Sequence, residues 1–402
     1  MDFKHCNTIN NWIVFNTSFK IFQTKMNFEL LQILLNIILI TTVLYIICII
    51  AFTVGLYNLK ERFFTFNKKI NVKVSVLIAA RNEGKNIYKL LQSLYYQTFS
   101  KELFEVIIID DHSEDDTKNI IENFIKEKDI NIRVFEAENI GKKLAISQAL
   151  HLANNELIMV TDADCELENT WIESVVNFYY EKKPKMILSP VLLSPANNFF
   201  EKIQVLEHLS LIGSTAGSAA IGFPVMCNGA NMAYEREAAL EVEKQRHDFN
   251  IPSGDDMFLL EQFVRNYGYN KVKFLLSKTA IVKTNTCKTV SEFFHQRRRW
   301  VSKTKFYTNW KIISTALTVF FFNLSIVSLF VSAFFIPALW SLYLLLTLLK
   351  FFIDFPLLKN ITTFMNQSKI LVWALPLEFI YPFYVIFTAV SGLLINVSWK
   401  RN

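Results

Sequence analysis

Residues 28–57 are almost free of charge, with only Glu29 at their edge, and this run constrains the chain more than any other feature. A helix crosses the hydrocarbon core of a bilayer with roughly 20 predominantly apolar residues. The run exceeds that length, which favours a membrane span over the buried helix of a soluble domain. Lys60, Arg62, Lys68, Lys69 and Lys73 follow it. Basic residues of this kind flank spans on the cytoplasmic side, so residue 60 onward is expected in the cytoplasm. Apolar character returns after Trp310, with spans expected over 312–335, 336–352 and 370–394 and a tight turn at Pro337. Lys350, Asp354 and Glu378 interrupt the later runs, so a re-entrant or surface-lying segment is an alternative there. The expected division is a polar segment over 1–27, a transmembrane helix over 28–58, a water-soluble domain over 70–305 and a membrane region over 311–397. Met26 stands directly before the first apolar run as a second candidate start.

Composition agrees with this division. Charged residues make up 19% of the chain and hydrophobic ones 52%, against about 25% charged in an ordinary soluble domain. The net charge of +6 comes from lysines and arginines at the edges of the apolar runs. Nucleic-acid binding calls instead for a basic face interleaved with aromatics on a polar domain. The five cysteines form no CxxC pair and no zinc spacing, and their scatter fits a reducing compartment.

Between the membrane regions, short apolar runs at 74–80, 105–109, 132–137 and 157–160 alternate with helical patterns near 85–97, 116–126, 142–153 and 170–180. Near-continuous apolar strands separated by helices specify a parallel sheet covered on both faces. Such a sheet binds ligands beyond the carboxyl ends of its strands. Three of the runs end in acidic groups. The first leads from Ala80 into Arg81-Asn82-Glu83, the second into Asp110-Asp111-His112-Ser113-Glu114-Asp115, and the fourth into Thr161-Asp162-Ala163-Asp164. Carboxylates converging on one sheet edge repel one another unless a cation or a set of donors offsets them.

Asp162-Ala163-Asp164 is the expected metal site. Residues i and i+2 of an extended segment share a side, and hard carboxylate oxygens suit Mg²⁺ or Mn²⁺. A solvated helix-capping turn is the alternative. Gly141-Lys142 opens a helix without the full GxxxxGK[ST] pattern, and no GxGxxG follows the first strand. Triphosphatase and dinucleotide readings therefore lack their main feature, while Lys142 remains able to meet a phosphate or a carboxylate. Gly254-Asp255-Asp256 precedes an apolar helical start, so its aspartates either cap that helix or supply a general base. Gln296-Arg297-Arg298-Arg299-Trp300 stands just before the membrane region. It reads as an interfacial anchor or a diphosphate clamp, with different arginines able to serve each role.

Taken together, these segments and Asn228-Gly229-Ala230-Asn231-Met232-Ala233-Tyr234 resemble membrane-bound members of glycosyltransferase family 2 from Val74 to Trp300. The resemblance is to the branch with processive synthases of cellulose, hyaluronan and poly-N-acetylglucosamine and related single-addition enzymes. It implies an α/β class with a GT-A, Rossmann-like, mostly parallel sheet, joined here to one N-terminal and two to three C-terminal transmembrane helices. It also implies inverting transfer of a hexosyl or N-acetylhexosaminyl group from a nucleotide-diphosphate sugar, expected to be UDP-linked. The acceptor would be a lipid-linked sugar or a polysaccharide at the cytoplasmic face of a bacterial inner membrane. Donor binding would fall to Ala80, Arg81, Glu83, Asp110, Asp111, Lys142, Asp162, Asp164, Gln296, Arg299 and Trp300. Asp162 and Asp164 would hold Mg²⁺ or Mn²⁺, and Asp256, beside Asp255, would be the general base. Where the family has Glu before that base, this chain has Asp255. The gating-loop motif and many channel helices of cellulose synthases are not recognisable, which weighs against polymer translocation. A non-catalytic membrane scaffold is the rival outside the enzyme class.

Overall fold

Three of the four apolar runs, at 74–80, 105–109 and 157–160, become strands almost wholly withdrawn from water, because they carry β-branched and aliphatic residues on both faces; the edge strand at 132–136 is mostly half-buried. The structure is a computed structural model that describes residues 4–64, 70–246, 248, 251 and 254–394, with side chains described except at 4–28, 30, 31 and 255. The strands are β1 (Val74–Ala80), β2 (Phe104–Asp110), β3 (Ile132–Glu136), β4 (Leu157–Val160), β5 (Glu166–Leu167), β6 (Met186–Leu188), β7 (Val191–Ser194), β8 (Met232–Glu235), β9 (Val272–Phe274) and β10 (Val282–Asn285).

The main sheet has the order β3-β2-β1-β4-β8-β6-β9. β1, β2, β3 and β4 are mutually parallel where they pair, whereas β8 runs antiparallel to both β4 and β6. The sheet is thus mostly parallel, as expected, with one reversed strand that the runs of the sequence did not reveal. Chain order reverses between β1 and β4, the switch point beyond whose strand ends a sheet of this kind forms its ligand crevice. In register, Ala80 lies opposite Asp110, so β2 extends one residue past each end of its apolar run and its last residue is acidic. A smaller sheet has the order β5-β10-β7.

One carboxylate enters the sheet at its far end. Glu105 is 5% exposed; Ser75 Oγ donates to it at 2.6 Å, Arg133 Nη2 at 2.6 Å and the Asn154 N–H at 3.0 Å. Burial alone would raise its pKa, but these donors hold it below the usual value. The group therefore stays ionised and ties the starts of β1, β2 and β4 together.

A helix over Lys4–Asn58 takes in both the polar segment and the first apolar run. Its stretch Gln32–Asn58, and the helices Trp310–Ala333 and Leu339–Phe364, are long and apolar enough to cross a membrane. The sequence reading closed the second C-terminal span at Phe352. The helix instead continues to Phe364 with Pro356 inside it. It tolerates charge there because Lys350, 1% exposed, meets Asp354 at 2.6 Å and Glu378 at 2.7 Å, and Tyr45 Oη donates to Asp354 at 2.8 Å. The third expected span is not one helix. Ser368–Glu378 and Tyr381–Leu394 meet at 78°, which makes a broken span or a re-entrant loop.

The helix Phe199–Ala220 joins the long apolar helices to the sheet. It begins at a capping box of Asn198 and Glu201 and crosses the first membrane helix at two glycines. A Cβ on Gly217 would lie 2.0 Å from the Phe52 carbonyl oxygen, and one on Gly55 would lie 2.2 Å from the Gly217 carbonyl oxygen. Neither neighbour is a side chain that can turn aside. Gly217→Ala is accordingly expected to destabilise the protein by about 1–3 kcal/mol, read as a lower thermal midpoint of detergent-solubilised protein. An unchanged midpoint would mean that the helices do not meet at this contact.

Candidate active site at the strand ends

The residues singled out from the sequence gather on one edge of the sheet, beyond β1, β2 and β4. Asp111 follows β2 and is 2% exposed. Its carboxylate accepts from the Gly141 N–H at 3.0 Å, faces Arg81 at 3.8 Å and lies 3.4 Å from His112 Nδ1. Gly141, at φ +125°, adopts a backbone open mainly to glycine and so delivers its N–H to Asp111. Asp111 is thus occupied in shaping the loop that leads into the helix Lys142–Leu152. Asp110 differs: it is 4% exposed, and its Oδ1 is buried without a hydrogen-bond partner. Such an atom is an acceptor left open to a water or a ligand. Ala80, opposite Asp110, ends β1, and its carbonyl accepts from the Asp111 N–H at 2.7 Å. Glu83 accepts from Asn86 Nδ2 at 2.8 Å, and its charge reaches Asp164.

Asp162 and Asp164 follow β4. Lys142, in the first turn of its helix, forms an ion pair with Asp162 Oδ1. Thr284 Oγ1, from β10, donates to Asp164 Oδ2 at 3.0 Å. Burial, then the charges of Asp162 and Glu83, push the Asp164 carboxyl up to about 6. This pair is short of positive charge, and a divalent cation fits it by charge and by the hardness of its oxygens. Among the described residues no group of three or more His, Cys, Asp or Glu side chains is placed to hold a metal. An ion here would take its remaining ligands from a bound phosphate.

Asp256 lies in the first turn of the helix Asp255–Tyr267, against the same crevice. Its Oδ1 accepts from the Met257 N–H at 2.9 Å and meets Lys303 Nζ at 3.3 Å, while the Gly229 N–H reaches Oδ2 at 3.4 Å. Burial alone would raise this carboxyl. The Lys303 ammonium, the Met257 N–H and the charge of Lys142 outweigh it and hold the carboxyl below its usual value. Lys303 was not among the residues picked from the sequence. A lysine three residues after Trp300 looks like a membrane-flank charge, and only the chain's return beside Gly254 brings it to Asp256. The side chain of Asp255 lies outside the described residues.

The helix Val290–Ser302 separates its arginines by direction. Arg299 faces Asp256 and Asp162; burial lowers its pKa, and those two charges act against that fall. Arg298 donates to the Phe294 carbonyl at 3.3 Å. Arg297 is 4% exposed and pairs with Glu207. Gln296 Oε1 accepts from Arg297 Nη1 at 2.6 Å and lies 3.6 Å from Cys287 Sγ. The ring of Trp300 packs 4.2 Å from the Arg297 guanidinium. Thus Arg299 enters the crevice, whereas Gln296 and Trp300 support the helix from the Arg297 side.

Comparison with known proteins places this edge in a family. Residues 75–242 match glycosyl transferase family 2. Beta-monoglucosyldiacylglycerol synthase of Trichormus variabilis is 33% identical over 138 residues, covering 33% of this chain and 29% of that protein. Poly-beta-1,6-N-acetyl-D-glucosamine synthase of Staphylococcus aureus is 27% identical over 215 residues, 52% of each chain. The chain therefore spans about half, or less, of the length of these relatives. Among solved structures, the mannosyltransferase PcManGT from Pyrobaculum calidifontis, in complex with GDP-Man and Mn²⁺, superposes with a TM-score of 0.56 at 16% identity. It covers 86% of this chain and 99% of that one, a likeness of fold. With its sheet order and the match over residues 75–242, this part of the chain has a GT-A-like fold and resembles glycosyl transferase family 2.

Proposed function

We propose that the protein is an inverting glycosyltransferase that moves a sugar from a nucleoside diphosphate sugar to a lipid-linked or glycan acceptor at the cytoplasmic face of a membrane. The observation that carries this reading is the meeting of Asp162, Asp164, Lys142, Asp256 and Arg299 at one crevice of a family 2 domain. Glycolipid and polysaccharide synthases among the relatives support the acceptor class, and helices fit to span a membrane beside the site support its location.

Asp110 takes the nucleobase through its unpartnered Oδ1, which suits an N–H donor such as the N3–H of uracil, and a UDP-sugar is the donor we propose. Asp111 holds the loop beneath. Asp162 and Asp164 hold Mg²⁺ or Mn²⁺, which when bound offsets charge on the diphosphate leaving group. Lys142 and Arg299 add fixed positive charge on the same group. Asp256 is ionised at neutral pH because Lys303 holds its pKa down. It takes the proton of the acceptor hydroxyl as that oxygen bonds to the anomeric carbon and the bond to the diphosphate breaks. One displacement inverts the centre, and the proton stays on Asp256 until solvent removes it. The polymer synthase among the relatives gives processive synthesis a second hearing, and product length separates it from single addition.

The test is release of nucleoside diphosphate by purified protein with Mg²⁺ or Mn²⁺ and a panel of UDP- and GDP-sugars, with and without membrane lipid. Release from a UDP-sugar that rises with lipid and stops with chelator or Asp164→Ala is expected. Folded protein that releases nothing from any donor would overturn the reading. Asp256→Asn should lower turnover by about 10²–10⁴-fold while donor binding persists; near-normal turnover would remove Asp256 as the base. Lys303→Met deletes the charge that depresses Asp256, so the base is lost at a higher pH. The acid limb of the turnover profile should then move upward in pH, and Lys303→Arg should restore it. A limb that stays in place would separate Lys303 from the base.

A further inference from the structure

The helix that carries Arg299 into the crevice is held on its opposite side by a buried charge. Residues 297 and 299 are separated by about 200° around a helix of 3.6 residues per turn. Arg297 therefore faces away from the site while Arg299 faces into it. Arg297 Nε donates to Glu207 Oε1 at 3.1 Å, and its Nη2 pairs with Glu207 Oε2. Its guanidinium also packs 4.6 Å from the Phe293 ring and 4.2 Å from the Trp300 ring. Glu207 belongs to the helix Phe199–Ala220, the one locked to the first membrane helix at Gly55 and Gly217. The Glu207 carboxylate accepts a third bond, at Oε1, from Tyr384 Oη at 3.1 Å. Tyr384 belongs to the last helix, Tyr381–Leu394, beyond the 78° bend.

That last helix also presses on the Arg299 helix directly. A Cβ on Gly392 would lie 2.7 Å from Val301 Cβ and 3.1 Å from the Arg298 carbonyl oxygen. Tyr384 stacks on Phe293 at 5.8 Å, and Phe387 meets Phe294 edge-on at 5.2 Å. On its far side Tyr384 lies 5.6 Å from Tyr381, whose ring sits 4.9 Å from the Lys350 ammonium. A buried Arg–Glu pair is costly to desolvate and has little to recommend it for stability alone. A fixed planar fork does, however, set the rotation and height of the helix that bears it.

We propose that Glu207 and Tyr384 are positioning residues that act through Arg297 to fix Arg299 against the donor diphosphate, so that seating of the last membrane helix sets the rate of transfer. The proposal rests on the glycosyltransferase reading. A misplacement of about 1 Å at a reacting centre costs on the order of 100-fold in rate, so loss of the fork has a kinetic signature separate from loss of fold.

The experiment uses full-length protein in lipid nanodiscs, with turnover and nucleoside diphosphate binding measured per folded molecule. Glu207→Gln should lower kcat about 10- to 100-fold, and Glu207→Asp should recover part of it. Tyr384→Phe keeps the ion pair and removes one hydroxyl bond, so it folds where Glu207→Gln fails, and it should lower kcat several-fold. The deciding comparison is made in an Arg299→Ala background. There Tyr384→Phe and Glu207→Gln should cause no further loss, because they act through Arg299. Losses that multiply in that background would overturn the proposal, as would unchanged kcat in Tyr384→Phe with only a lowered thermal midpoint. Wild-type protein that transfers normally while both variants match it would overturn the positioning role alone. Wild-type protein that neither binds nor transfers would overturn the function reading and this proposal with it.

Discussion

Too much negative charge gathers at one sheet edge, and most of the site follows from how that charge is offset. Parallel strands share their carboxyl ends on one side, so Asp110, Asp111, Asp162 and Asp164 cannot avoid one another once β2, β1 and β4 are neighbours. The protein answers with cations from elsewhere in the chain: Arg81 toward Asp111, Lys142 on Asp162, Lys303 on Asp256, and Arg299 facing Asp162 and Asp256. The offset is uneven. Asp111 is fully engaged, whereas Asp110 keeps an unpartnered oxygen and Asp164 keeps a raised proton affinity. Those two residues are the ones to which the proposed function gives a nucleobase and a metal.

The same logic separates the two halves of the candidate site. Along β1, β2 and β4 the carboxylates sit on a sheet whose register fixes them within the core. The cations Arg299 and Lys303 sit on and just after the helix Val290–Ser302, which packs on the last apolar helix and meets the helix Phe199–Ala220 through Arg297–Glu207 and Phe293–Phe200. Rigid anions thus face cations whose placement depends on the membrane helices. The close crossing at Gly55 and Gly217, the Glu207–Arg297 pair and the Gly392–Val301 contact make that dependence mechanical.

Much of this was legible beforehand, for a local reason. An apolar run followed by acidic residues is a strand end wherever it falls, and β1 and β4 occupy the expected residues. The N-terminal apolar run needed only its length and its lack of charge. The later membrane region resisted the same treatment. Lys350, Asp354 and Glu378 look like boundaries when read singly, yet they neutralise one another across two segments, and so the helix runs on to Phe364. The reversed strand β8 and the helix Phe199–Ala220 went unseen because neither direction nor docking partner is written in a short apolar pattern. Lys303 was missed because its partner lies 47 residues earlier in the chain.

The sequence by itself determined a mostly parallel sheet with acidic strand ends, apolar helices on either side, and the set of residue types available for the chemistry. These follow from side-chain period and from the rule that parallel strands finish together. The tertiary structure alone decided which aspartate of a neighbouring pair is occupied and which is left open. It also decided which of three consecutive arginines enters the crevice and which lysine sets the proton affinity of Asp256. Those assignments depend on distances of a few ångströms between groups far apart in the chain. Electrostatic energies change steeply over such distances, and the order of residues does not encode them locally.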